Sequence, residues 1–181
     1  MEPFDIDPGL WEGGEAGRPL AADLNAPLPI GDERYDALVC CEGMEHIENP
    51  YLVLREYGRI LQPGGVLVVS IPNTIDLRQR WRFLRRGFLG HYPPAVPEHI
   101  NAMGTFMLCH ALLRGGFAIL DIDTPKNYAG PLLRLAARFF AYGRGTGLPD
   151  TVNRMLSRPR VLCGRTVVIT ARREGGAAAE D

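Results

Sequence analysis

Residues 35–73, YDALVCCEGMEHIENPYLVLREYGRILQPGGVLVVSIPN, decide the fold. Tyr35 to Cys41 is a short apolar run ending at an acidic turn, the pattern of a central parallel strand buried on both faces. After Asn49-Pro50 the apolar residues Leu52, Val53, Leu54, Tyr57, Ile60 and Leu61 recur at roughly helical spacing, and Pro63-Gly64-Gly65 stops them. Val66 to Ile71 is an almost unbroken apolar run closed by Pro72-Asn73, a second strand. Strand, helix and strand make a βαβ unit with a right-handed crossover.

Downstream the alternation continues. Arg78, Arg80, Arg82, Arg85 and Arg86 interleave with Trp81, Phe83 and Leu84 on an expected helix, followed by the loop His91-Tyr92-Pro93-Pro94. The pattern predicts a helix over Phe106–Leu113, stopped by Gly115-Gly116, and a strand over Phe117–Ile122. A basic amphipathic helix is expected over Pro131–Tyr142. A Gly- and Pro-containing connection then leads to a last strand, Arg165–Ala171. Upstream, Glu2-Pro3-Phe4-Asp5-Ile6-Asp7-Pro8 has the character of the last half of a strand, and Leu20-Ala21-Ala22-Asp23-Leu24 of a further short one. The sequence is an α/β pattern that begins in its middle.

With 181 residues, 46% of them hydrophobic, the chain is long enough for one core. One domain over 1–173 is expected, with an insert at about 74–104 and a disordered tail, 174–181. A formal net charge of -1 gives no global pull toward nucleic acid or an anionic membrane, although Lys126 is the single lysine among the basic residues. The start MEPFDIDPGL has no signal-peptide character, and no segment approaches the roughly 18 apolar residues of a membrane span. Four cysteines without CxxC spacing fit reduced thiols in a cytoplasm.

In order, Asp5-Ile6-Asp7-Pro8, Ala22-Asp23-Leu24-Asn25-Ala26-Pro27-Leu28-Pro29, Tyr35–Val39, Glu42-Gly43-Met44-Glu45-His46-Ile47, Leu54-Arg55-Glu56, Leu61-Gln62-Pro63-Gly64-Gly65 and Ser70-Ile71-Pro72-Asn73 resemble class I S-adenosylmethionine-dependent methyltransferases of the small-molecule type. Cys163-Gly164-Arg165 before the last strand adds to the likeness. The resemblance implies a Rossmann-like α/β sheet, mostly parallel with an antiparallel last strand. S-adenosylmethionine would lie across the carboxyl ends of its first strands. It implies that Asp5, beside Ile6, accepts hydrogen bonds from the ribose hydroxyls, as an acceptor-only carboxylate can. Asp7 competes for that role, and either acid can instead cap a helix. It implies further that Asp23 faces the adenine amino group, or serves only a turn, and that Leu24 supplies a backbone donor or an apolar wall. Glu42 would stand nearest the methionyl end and the reacting centre.

Glu45 and His46 share a helical face with Glu42. That grouping invites a metal or acid/base reading, but it lacks HExxH spacing and no second ligand pair is evident nearby, so no metal is expected. A structural role for His46, ordering the turn, is the expectation. In the insert, His91, Tyr92, Glu98, His99 and Asn101 are placed where related enzymes build an acceptor pocket. His99 is the candidate catalytic residue and first candidate for a substrate contact, against the reading of a loop histidine bonded to backbone. In-line displacement at an electrophilic methyl can be carried largely by positioning, with no obligatory base.

The arginine-rich helix is expected to be an amphipathic lid, apolar residues inward and arginines solvated, rather than a phosphate or nucleic-acid contact. Against a lipid headgroup or membrane surface, Arg134, Arg138 and Arg144 would extend its face. The family's first strand and glycine-rich loop are absent, and neither Gly13-Gly14 nor Gly64-Gly65 replaces them. The domain is therefore expected to be incomplete at its amino terminus, through a late start, a strand supplied by a partner chain or homodimer at an exposed sheet edge, or decay. The expected function is methyl transfer to a small-molecule, lipid or glycan-type acceptor. The alternative is a non-catalytic methyltransferase-like subunit or truncated remnant acting through protein contacts.

Overall fold

The structure is a computed structural model that describes residues 4–5, 20–91, 96–101, 103–125, 130, 135 and 145–175. Its strands are β1 (Phe4–Asp5), β2 (Leu20–Ala21), β3 (Tyr35–Cys41), β4 (Leu61–Pro72), β5 (Phe117–Asp123) and β6 (Thr166–Arg173). Its helices are α1 (Pro50–Ile60), α2 (Leu77–Arg86), α3 (Thr105–Arg114) and α4 (Asp150–Leu156), with 3-10 turns at Met44–His46 and Val161–Cys163. The expected basic helix over Pro131–Tyr142, Leu135 aside, and the tail beyond 175 lie outside the described residues, as do Ile6, Asp7, Gly13-Gly14 and Tyr92.

Four strands form one mixed sheet in the order β3-β4-β6-β5. β3 and β4 pair in parallel, and β6 inserts antiparallel to both β4 and β5. Thus β3, β4 and β5 run one way and the last strand the other, as the resemblance implies. β1 and β2 pair in parallel with Phe4 opposite Leu20 and Asp5 opposite Ala21. Helices α1 and α3 pack on each other and on β4 and β5, while α4 and the Val161–Cys163 turn form a second group against β5. The core between them includes Leu67, Leu108, Leu112, Phe117, Ile122, Leu162, Val167 and Ile169.

Three expectations change. β3 is an edge strand of the four-stranded sheet among the described residues, with Val39 61% exposed, rather than a central strand buried on both faces. Pro63-Gly64-Gly65 does not end α1, which already stops at Ile60. The glycines sit inside β4, where its register with β3 shifts between Tyr35 and Ala37. A Cβ at Gly65 would lie 2.8 Å from the Gln62 carbonyl oxygen and 3.1 Å from that of Asp36, so this close strand approach requires glycine. Finally, α2 packs Leu77 on the core but turns its other apolar residues outward, with Trp81 62%, Phe83 52% and Leu84 77% exposed. Its other anchors are polar: Asp76 caps the helix by accepting from the Arg78 amide, and buried Gln79 accepts from the Gly90 amide at 2.9 Å.

The loop leaving β2 is fastened to α1 by an ion-pair network. Glu56 accepts from the Leu28 amide at 2.8 Å and from Arg59 at 2.7 and 3.1 Å. Arg59 also donates to the carbonyls of Leu28 and Ile30 and to Asp32. The Arg59 hydrogen bond, opposed by burial, holds the Glu56 carboxyl below the usual carboxylate range. A folded-state pKa below the unfolded one stabilises the fold above about pH 4.5 and is lost as pH falls through the folded value. Glu56→Gln should cost about 1.5 kcal/mol at pH 7 and flatten the decline of stability in acid. Urea midpoints of wild type and variant measured from pH 7 to pH 3 test this; parallel curves would remove Glu56 from the account.

Candidate active site

The loops that leave the carboxyl ends of β2, β3 and β4 carry the candidate residues. At the end of β1, Asp5 stands in register with Ala21, two residues before Asp23. Asp23 is exposed, and its Oδ1 accepts from the Asn25 amide at 2.8 Å, closing an Asx turn that is also held by the Ala26 amide on the Asp23 carbonyl. The turn role weighed for this aspartate is therefore present, and its second carboxylate oxygen is not used in it. Leu24 is half-buried and packs against the core. Asn25 Oδ1 accepts from the Glu48 amide at 2.9 Å, so the loop from β2 reaches the loop from β3.

Glu42, directly after β3, takes a left-handed backbone with φ 49°, a conformation that costs a non-glycine residue about 1 kcal/mol or more. Ser70 on neighbouring β4 holds it there. The Glu42 amide donates to the Ser70 carbonyl at 3.2 Å and to its Oγ at 3.1 Å, and that hydroxyl reaches the Glu42 carboxylate at 3.3 Å. Local strain imposed by two strands at the end of a parallel pair is a feature that collects at functional sites.

Glu45, three residues on, is only 1% exposed, and neither of its carboxylate oxygens has a hydrogen-bond partner. Burial, with the Glu42 charge adding to it, pushes its carboxyl above the usual range. His46 and His99 meet edge to face with ring centroids 4.7 Å apart. The sequence expectation put His99 at the substrate and His46 in the turn; the fold brings both to Glu45. Asn101 ties the two segments by donating from its amide to the Glu45 carbonyl at 2.9 Å and from Nδ2 to the Ile47 carbonyl at 3.2 Å.

A polar cavity of about 330 Å³ opens where β4 ends, lined by Asp76, Arg78, Gln79, Arg82, His91 and Arg165. Burial, and then Arg165 and Arg82, hold the His91 imidazolium below its usual pKa, so its ring is neutral at pH 7. Arg165 comes from the Cys163-Gly164-Arg165 turn. That turn is fixed by Asn73, fully buried, whose Nδ2 donates to the carbonyls of Val161 at 2.6 Å and Gly164 at 2.8 Å. The meeting of Arg165 with Arg78, Arg82 and His91 was not expected from sequence, since Arg165 lies more than seventy positions beyond the other lining residues.

Residues 3–122 match the family described as a methyltransferase domain, and the chain belongs to that family. A probable S-adenosylmethionine-dependent methyltransferase of Mycobacterium tuberculosis is 29% identical over 109 residues, covering 60% of this chain and 35% of that protein. A probable S-adenosylmethionine-dependent methyltransferase of Mycolicibacterium smegmatis is 31% identical over 113 residues, covering 62% of this chain and 40% of that protein. The match thus spans 35 to 40% of the length of these curated relatives. Among solved structures, a SAM-dependent methyltransferase from Archaeoglobus fulgidus superposes with a TM-score of 0.59 at 17% identity, covering 94% of this chain and 74% of that one, a likeness of fold. No helix among the described residues is long and apolar enough to cross a membrane.

Proposed function

We propose that this domain holds S-adenosylmethionine across the carboxyl ends of β1, β2 and β3 and directs methyl transfer to a small acceptor bearing an acidic group. The observation that carries the reading is Glu42: a strained acidic residue clamped by Ser70 at the end of a parallel strand, in a chain of this family. The residues present suit the nucleoside half of the cofactor. Asp5 supplies a carboxylate for the ribose hydroxyls, and the unused oxygen of Asp23 an acceptor for the adenine amino group, two residues beyond the paired ends of β1 and β2. Glu42 offers an acceptor toward the cationic methionyl end.

When bound, the sulfonium supplies an electrophilic methyl group. The protein's part is to orient it and the acceptor in line, which can lower the barrier substantially without a dedicated base. Arg78, Arg82 and Arg165 suit an acceptor carboxylate or phosphate in the cavity after β4, because guanidinium groups pair with planar oxyanions in two-point contacts. His99, joined to that cavity through its hydrogen bond to the His91 carbonyl, stands between it and Glu45.

Asp23 separates this reading from a purely structural one. Asp23→Asn keeps the side-chain oxygen that closes the Asx turn but turns a donor toward the adenine amino group. Affinity for S-adenosylmethionine should fall about tenfold, the equivalent of one lost charge-assisted bond, with the thermal midpoint unchanged. Equal affinity of Asp23→Asn and wild type in calorimetric titration would confine Asp23 to its turn.

A further inference from the structure

We propose that Glu45, His46 and His99 form a binding site for a divalent first-row transition cation, of the manganese, iron, cobalt or zinc type. The ligand-capable atoms of these three residues all lie within 4.8 Å of one another. Around a cation with bonds of about 2.1 Å, neighbouring ligand atoms stand roughly 3 to 3.5 Å apart and opposed ones about 4.2 Å, so small side-chain rotations close the set.

Three further observations point to a cation rather than to a chance cluster. The first is Glu45, 1% exposed with both carboxylate oxygens unpartnered and aimed into the group. A buried carboxylate with no donor is costly, and a cation beside it removes that cost. The second is the fixing of both imidazoles from behind. His46 Nδ1 is 3.0 Å from the Glu98 carbonyl oxygen, and His99 Nδ1 is 2.5 Å from that of His91. A carbonyl only accepts, so in each contact Nδ1 is the donor, which leaves Nε2 as the nitrogen that would serve as ligand. Metal-binding histidines are oriented in this way, by a backbone carbonyl on the far nitrogen. The third is that Asn101 staples the segment bearing His99 to the segment bearing Glu45 and His46, which sets the ligands before a cation arrives.

Two imidazoles and one carboxylate select the class of ion. Magnesium and calcium prefer all-oxygen shells, whereas mixed nitrogen and oxygen sets suit manganese, iron, cobalt and zinc. Three protein ligands leave coordination positions open for water or an acceptor oxygen. The spacing search by sequence missed the site because Glu45-His46 lacks the i,i+4 histidine pair, and the third ligand arrives from position 99 through the fold.

The test uses the full-length polypeptide, stripped with chelator and dialysed, and the metals alone, so it stands whether or not methyl transfer is found. Binding of Mn2+ followed by electron paramagnetic resonance, and of Co2+ by its visible absorption, should show one site per chain. Glu45→Gln, His46→Ala and His99→Ala should each weaken binding by about tenfold or more. Exposed Glu48→Gln, on the same loop, should leave it unchanged. His46 is exposed, so its variant retains the fold, and circular dichroism verifies each protein. Failure of the folded wild type to bind Mn2+, Co2+ or Zn2+ at 1 mM, on the order of the weakest physiological sites, would overturn the proposal. So would undiminished binding by folded His46→Ala and His99→Ala.

Discussion

Asn73→Ala should destabilise the fold by about 3 kcal/mol and dismantle the arginine cavity at the same time. The side chain is fully buried, and its amide satisfies the carbonyls of Val161 and Gly164 while its Oδ1 accepts from the Ile75 amide at 3.1 Å. Removing it strands two buried backbone groups, the Gly164 carbonyl and the Ile75 amide, each costing about 1–3 kcal/mol unless water enters, and leaves the Val161 carbonyl only its 3.4 Å bond from the Gly164 amide. The Asn73 amide also donates to the Arg165 carbonyl at 2.8 Å, a bond the variant retains, so strand β6 still begins in place. Denaturant midpoints give the energetic part, and protease susceptibility at the 158–165 segment gives the local part. A loss below about 1 kcal/mol would mean that the turn closes without this amide.

Phe117→Ala is expected to cost still more, about 3–5 kcal/mol, the usual range for deleting a buried aromatic ring. Phe117 begins β5 at 1% exposure, and its ring lies beneath two glycines: a Cβ built at Gly58 would stand 3.6 Å from it and one at Gly115 also 3.6 Å. The ring therefore fills the junction of α1, the end of α3 and the sheet. Because a Cβ at Gly58 makes ordinary contact, Gly58→Ala should be tolerated and should gain up to about 1 kcal/mol of helix propensity. Thermal denaturation of the two single variants tests both statements. A Phe117→Ala loss under about 1.5 kcal/mol would show that the neighbouring side chains collapse into the space.

What sequence made legible follows from what sequence encodes locally. Asn49-Pro50 and the apolar spacing from Leu52 to Ile60 specify α1, because the cap and the buried face are both short-range properties. The β-branched run from Val66 and the run from Val167 likewise specify β4 and β6. The antiparallel sense of β6 came from family likeness, since composition alone does not set strand direction. The misreadings have physical causes. Val39 has the character of a buried strand residue, yet its exposure depends on which neighbours pair with β3, a non-local property. Trp81, Phe83 and Leu84 were assigned inward by hydrophobicity, but α2 is anchored through Asp76 and Gln79. Helix α4 was passed over as a connection because Asp150–Leu156 is short and its buried Asn153 works as a hydrogen-bond bracket, with Nδ2 on the Leu148 carbonyl at 2.9 Å and Oδ1 taking the Thr146 hydroxyl at 2.8 Å.

The site divides in the same way. Asp5, Asp23 and Glu42 are candidates through the family resemblance; Asp5 ends β1, Asp23 lies two residues after β2 and Glu42 directly follows β3. The meeting of His99 with Glu45 and His46, and of Arg165 with Arg78 and Arg82, depends on segments separated by more than fifty residues, which no local pattern reports.

The most direct measurement is calorimetric titration of the full-length polypeptide with S-adenosylmethionine, wild type beside Asp5→Ala. One molecule bound per chain, with affinity reduced about tenfold or more by Asp5→Ala, is the result expected when the cofactor lies across the strand ends. Folded wild type that takes up no S-adenosylmethionine, or Asp5→Ala that binds it as tightly as wild type, would contradict that placement.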